Sequence, residues 1–244
     1  MLTALGQVDF PVAGVLGLCE DDSVIGSAFF VMEMVEGRVF WDAHFPQVSR
    51  DERPAYFDAM NATIAQLHRI DPIAIGLGDF GKPGNYFARQ IDRWSRQYRE
   101  DVEAGRDADM DWVLERLPAR IPADDETRIV HGDFRCDNLI FHPTQPQALG
   151  HPLADFVYHA MMYRMPPISN EEQYIAAYCR RAGRAAIHDY DFYVAFNFFR
   201  MAAIFHGIKG RVIRGTASST HAAERAKSFP KLARLARETL ESGS

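Results

Sequence analysis

His131-Gly132-Asp133-Phe134-Arg135-Cys136-Asp137-Asn138, with the apolar run Leu139-Ile140-Phe141 after it, governs the reading of this chain. An Asp able to take a proton from an attacking hydroxyl precedes an Asn able to hold a phosphate-bound Mg²⁺. Both sit on a tight loop entering a buried strand, the layout of a phosphoryl-transfer catalytic loop. At roughly 5% usage per residue type, a fixed His-x-Asp-x-x-x-x-Asn arises by chance in a chain this long about 3% of the time. Gly132 and the flanking β-prone runs Arg128-Ile129-Val130 and Leu139-Ile140-Phe141 lower that further. A polar turn between two strands is the competing reading.

Working outward, Val12–Leu18 and Ala28–Val35 are short β-prone runs joined by the polar, Gly-ended connector Glu20–Gly26, and they read as an antiparallel pair. Ser49-Arg50-Asp51-Glu52 has capping-box form. Phe57, Met60, Ile64 and Leu67 follow at helical spacing, predicting a buried helix to about Arg69. Phe87, Ile91, Trp94 and Tyr98 form one apolar stripe of a second helix, and Asp111–Leu117 reads as a third, ended by Pro118. Beyond the loop the pattern is helical over Glu171–Arg181, Asp191 to about Lys209, and Ala222–Leu240 with Pro230 inside it. Phe192, Phe196, Phe199 and Ala203 share a face that reads as packed core rather than a nucleotide-stacking surface.

The composition is globular: 244 residues, 47% hydrophobic and 25% charged, enough for one core or two small lobes. A net charge of -6 gives no electrostatic footprint for nucleic acid. Cys19, Cys136 and Cys179 are odd in number and widely spaced, so they read as free thiols of a cytoplasmic protein rather than a disulfide framework or a zinc site. No apolar run approaches membrane-spanning length, and Met1–Leu5 lacks the basic start of a signal peptide, so no membrane association is expected. His142, His151 and His159 lack the spacing that puts two rings on one helix face, which argues against a histidine metal site.

The loop resembles that of the aminoglycoside phosphotransferase and choline kinase-like family. Gly150-His151-Pro152-Leu153-Ala154-Asp155-Phe156 resembles the segment closing the active-site region in that family. Phe29-Phe30-Val31-Met32-Glu33-Met34-Val35-Glu36-Gly37 resembles its strand-to-hinge segment. Within the family, the loop with Gly-His-Pro-Leu-Ala-Asp-Phe after it is most similar to the kinase-like domains found alone or joined to acyl-CoA dehydrogenases. The resemblance implies an α+β, protein-kinase-like fold. A truncated small β-containing lobe, residues 1–37 with the hinge, would precede a large mostly helical lobe, residues 38–244, carrying the catalytic loop at 131–138.

It also implies site residues. Asp133 would be the catalytic base or acceptor-orienting group, and Asn138 a Mg²⁺ ligand through its carbonyl oxygen. The backbone carbonyl of Glu33 and amide of Val35 would pair with adenine, with Met32 packed nearby, although an edge strand leading into a Gly turn would look the same. His131 and Asp155 would support the loop, while Asp137 reads as a solvated or loop-capping residue. ATP and Mg²⁺ are the implied cofactors, and a small-molecule hydroxyl is the implied acceptor of the γ-phosphoryl group, in a hydroxyacyl compound if the subgroup is a guide.

The chain also departs from the family pattern. Family members carry a further strand ending in a Mg²⁺-binding Asp before the Gly-His-Pro segment; here Pro143–Leu149 runs to Gly150 with no Asp, which reads as an internal deletion. The glycine hairpin, the phosphate-binding Lys and the helix with its Glu partner have no counterpart. Lys82, the only Lys before the loop, lies in a turn well past the hinge. Two expectations follow: a kinase with impaired activity, or a non-catalytic pseudokinase or interaction module. The remnant hairpin would leave a strand edge through which the chain could form a homo-oligomer.

Overall fold

The structure is a computed structural model that describes residues 1–82, 84–123, 126–144, 148–149 (backbone) and 171–243. Its elements in chain order are α1 (Leu2–Gly6), β1 (Val15–Cys19), β2 (Phe29–Met32), α2 (Arg53–Arg69), α3 (Tyr86–Glu100), α4 (Ala108–Arg116), β3 (Ile140–Phe141), β4 (Ala148–Leu149), α5 (Glu171–Ala182), α6 (Tyr190–Ile213), α7 (Ala222–Lys227) and α8 (Phe229–Ser242). They fall into two compact units, Met1–Lys82 with Arg128–Ile187 and Pro83–Thr127 with His188–Ser244.

In the first unit β1 and β2 pair antiparallel, Leu18 opposite Phe30 and Cys19 opposite Phe29, with an irregularity between Val15 and Gly17. Leu18 is 67% and Phe30 49% exposed on one face, and Val31 is 48% exposed on the other, so the hairpin presents apolar side chains on both faces. Such a pair is marginal without packing. The core lies instead around α2, whose Phe57, Met60, Ile64 and Leu67 are buried as their spacing predicts. The capping box does not form. Ser49 Oγ donates to the Glu52 carboxylate at 2.6 Å, and the helix starts at Arg53. Pro54 explains the later start, because a residue without an N–H fits only the first helical turn.

Phe40, Phe45, Tyr56 and Phe141 interlock beside α2, with Phe40 lying edge-on to Phe45 at 5.0 Å and to Phe141 at 5.3 Å. Phe45 adopts a left-handed backbone (φ 48°), an unfavourable conformation for a bulky residue, and is fully buried. Burial of an aromatic ring, worth about 1.5–3 kcal/mol, exceeds that backbone cost. On the other side of α2, the buried Asn61 donates to the Tyr174 carbonyl of α5 and accepts from Arg181, which also grips Asp58.

In the second unit α6 is the central element, with Phe192, Phe196, Phe199 and Ala203 buried as expected of core. Phe87 of α3 meets Phe192 at 5.2 Å and Phe196 at 5.0 Å. Helix α4 begins earlier than its apolar pattern suggested, because the Asp107 side chain accepts from the Met110 N–H and caps it. The single helix expected over Ala222–Leu240 is two. The chain breaks at Ser228, and Pro230 takes a place in the first turn of α8 rather than a helix interior it would disrupt. No helix among the described residues is long and apolar enough to cross a membrane.

Candidate functional site

The loop 131–138 is held from beneath by its apolar residues. Phe134 is fully buried, Cys136 and Leu139 nearly so, and the His131 ring stands edge-on to Phe134 at 5.9 Å. Gly132 supplies the turn with a φ of 87°, in the left-handed region that side chains avoid. The anchors leave Asp133 and Asn138 exposed, and a single short 3-10 turn, Cys136–Asn138, carries the Asn back toward the Asp. The run Arg128–Val130 forms no strand, although Ile129 is buried.

The polar contacts are specific. Asn138 Nδ2 donates to the Asp133 carbonyl at 2.8 Å and to its carboxylate at 2.9 Å. Because a carboxylate only accepts, the amide must turn its nitrogen to Asp133, which leaves Oδ1 free of that contact. His131 Nδ1 accepts from the Asp133 N–H at 3.3 Å. Arg135 Nε donates to Asp137 at 2.8 Å and lies 3.9 Å from the Asp133 carboxylate, so Asp137 is committed to the guanidinium while Asp133 remains accessible. Burial, with Asp137 alongside, pushes the Cys136 thiol up to about 11.

The segment resembling a hinge continues β2. The Glu33 N–H donates to Gly14 O at 2.8 Å, and the Glu33 carboxylate accepts from the Gly14 N–H at 3.1 Å. No protein partner takes the Glu33 carbonyl or the Val35 N–H among the described residues. Asp155 and the Gly150–Phe156 segment lie outside the described residues.

The hinge-like segment and the loop region are joined by a contact that no local sequence pattern predicts. Arg38 and Phe141 exchange both backbone hydrogen bonds at 2.8 Å. The Arg38 guanidinium donates to the His142 carbonyl and the Tyr56 hydroxyl. A Cβ on Gly37 would stand 2.3 Å from Ile140 Cγ2 and 2.5 Å from Phe141 O, so this approach needs glycine. The partners are remote in sequence; the one local sign is Gly37-Arg38, which follows the end of β2 after Glu33–Glu36.

Among the described residues no three His, Cys, Asp or Glu side chains gather to hold a metal. The exposed oxygens of Asn138 and Asp133 are hard donors that suit Mg²⁺ with most of its ligands from phosphates and water, and do not make an all-protein cage.

The family model described as the phosphotransferase enzyme family (APH) matches residues 1–193. The chain is 36% identical to mouse acyl-CoA dehydrogenase family member 10 and 37% to chicken acyl-CoA dehydrogenase family member 11, aligned over 97% and 94% of its length. It spans only 24% and 33% of those proteins. Each alignment runs to 263 residues against a chain of 244, so it opens gaps within this chain. Among solved structures, a Ralstonia eutropha protein provisionally described as an aminoglycoside phosphotransferase superposes with a TM-score of 0.90 at 44% identity, over 99% of this chain and 81% of that one. An aminoglycoside 2'-phosphotransferase in complex with GDP shares the fold, with a TM-score of 0.56 at 14% identity over 99% of this chain and 80% of that one. The loop, the hinge joint and these likenesses converge: the chain belongs to the phosphotransferase enzyme family, with a protein-kinase-like fold and a kinase-like domain related to those of acyl-CoA dehydrogenase family members 10 and 11.

Proposed function

We propose that this chain binds ATP and transfers its γ-phosphoryl group to the hydroxyl of a small molecule. The observation that carries the reading is the Asn138 amide bonded to Asp133, which presents a carboxylate and an amide oxygen side by side on an anchored loop. Asp133 accepts the proton of the acceptor hydroxyl as its oxygen bonds to the γ-phosphorus, and the bond from that phosphorus to the bridging oxygen breaks to release ADP. Asn138 Oδ1 would hold a Mg²⁺ ion that neutralises phosphate charge. Glu33 O and Val35 N–H would take the adenine edge. A hydroxyacyl acceptor is supported by the relatives named as acyl-CoA dehydrogenase family members. Unpaired cysteines suit a reducing, cytoplasmic setting.

Turnover is expected to be low, because the span between Phe141 and Gly150 supplies no acidic residue for a second metal contact. That same observation favours a second reading, a nucleotide-binding module without catalysis. Incubation with γ-labelled ATP, Mg²⁺ and a panel of hydroxyacyl compounds separates them. Label in the acceptor that disappears with Asp133→Ala supports the transferase, and nucleotide binding without any transfer supports the module.

A further inference from the structure

We infer that Arg38 is a positioning residue that holds the nucleotide-binding hinge in register with the catalytic loop. The inference rests on the nucleotide-binding reading above and adds a residue to it. Arg38 joins three segments of the first unit. Its backbone pairs with Phe141 in both directions, its Nε and Nη2 both donate to the His142 carbonyl at 3.3 Å, and its Nη2 also donates to Tyr56 Oη on α2. The guanidinium lies 5.5 Å from the Phe40 ring centre and 5.4 Å from that of Tyr56.

The location gives this joint its consequence. From Val35 to Arg38 the chain spans at most roughly 10 Å, and from Asn138 to Phe141 no more than that. Pinning Arg38 to Phe141 and His142 therefore limits how far the base-binding groups can move from the metal-binding Asn138. Gly37 removes the last obstacle to the approach, since any side chain there meets Ile140 and Phe141. Lysine would keep the charge but cannot reach one carbonyl with two nitrogens and a hydroxyl with the same planar fork. Arg38 bonds to Phe141, His142 and Tyr56 and to neither Asp133 nor Asn138, so its effect passes through the spacing of the two segments.

A ligand that uses only the hinge should ignore the joint, whereas one that uses both ends should feel it. Adenosine, ATP and Mg²⁺·ATP are titrated into the full chain calorimetrically for wild type, Arg38→Lys and Tyr56→Phe, with thermal unfolding checking that each variant is folded. Wild type should bind Mg²⁺·ATP more tightly than metal-free ATP. Arg38→Lys should lower that metal enhancement about 10-fold, the loss expected from one charge-assisted hydrogen bond, with adenosine affinity unchanged. Tyr56→Phe should lower it in the same direction by less. Wild-type enhancement in folded Arg38→Lys, or an equal loss for adenosine and Mg²⁺·ATP, overturns the positioning role. If Arg38→Lys does not fold, Tyr56→Phe decides on the same two outcomes. A wild-type chain that binds none of the three ligands overturns the nucleotide reading itself, and the inference with it.

Discussion

Asn138 reaches back across the loop so that one side-chain nitrogen serves both the carbonyl and the carboxylate of Asp133, at 2.8 and 2.9 Å. This orients the Asp without burying it, so the proposed role of Asp133 in phosphoryl transfer can be tested apart from any role in folding. Asp133→Ala should abolish phosphoryl transfer while changing unfolding free energy by only about 0.5 kcal/mol, as for other exposed side chains. Denaturant unfolding and transfer assays on the same preparation test this, and transfer at the wild-type rate in the variant contradicts the assignment.

Gly37 has the opposite profile, no chemistry and a strict steric requirement. Gly37→Ala places a methyl group against Ile140 Cγ2 and Phe141 O, and should cost about 1–3 kcal/mol through overpacking. Phe141→Ala, which empties a fully buried ring position, should cost about 3–5 kcal/mol. Urea midpoints with unchanged slopes would show both as losses of stability and not of two-state behaviour.

Those two positions also mark what the sequence could reveal. The α2 stripe, the β1–β2 pair and the aromatic face of α6 were legible because each is a local periodicity. The family was legible from the loop because His131, Asp133 and Asn138 stand at a set spacing. Boundaries set by a single residue were less so: Pro54 delays α2, Asp107 advances α4 and Pro230 splits the C-terminal helices, each through a preference local pattern only suggests. The Arg38 joint was not legible, since its meaning comes from His142, which is remote in sequence.

His206, in the second unit, predicts a pH response. The ring is fully buried, its Nε2 bonds to the Gly105 carbonyl at 2.7 Å, and its Nδ1 has no partner among the described residues. Burial pushes its pKa below the ordinary 6.5; Lys209 and Arg106 add to the shift, while the Gly105 bond and Asp101 oppose it. Well above pH 6.5 the ring is neutral folded and unfolded, and the contribution to stability is complete. As pH falls below 6.5 the unfolded chain takes a proton that the folded chain refuses, so stability declines until the folded value is reached. His206→Gln should flatten this part of the profile, and melting curves between pH 7.5 and 5 check it.

Thiol chemistry offers an independent test of the loop's anchoring. Cys136 and Cys179 are buried and both thiols are pushed up by that burial, whereas Cys19 is half-buried at the end of β1. Iodoacetamide should label Cys19 first in the native chain and all three only after denaturation, read by peptide mass. Rapid native labelling at Cys136 would mean that the loop is not held as described.

Calorimetric titration of ATP, with and without Mg²⁺, into the wild-type chain and Asn138→Ala asks whether Asn138 holds a nucleotide-bound metal. Binding to wild type should depend on the metal, and Asn138→Ala should lose that dependence with the fold intact. No binding to the folded wild-type chain, or an undiminished metal dependence in the variant, would contradict that role.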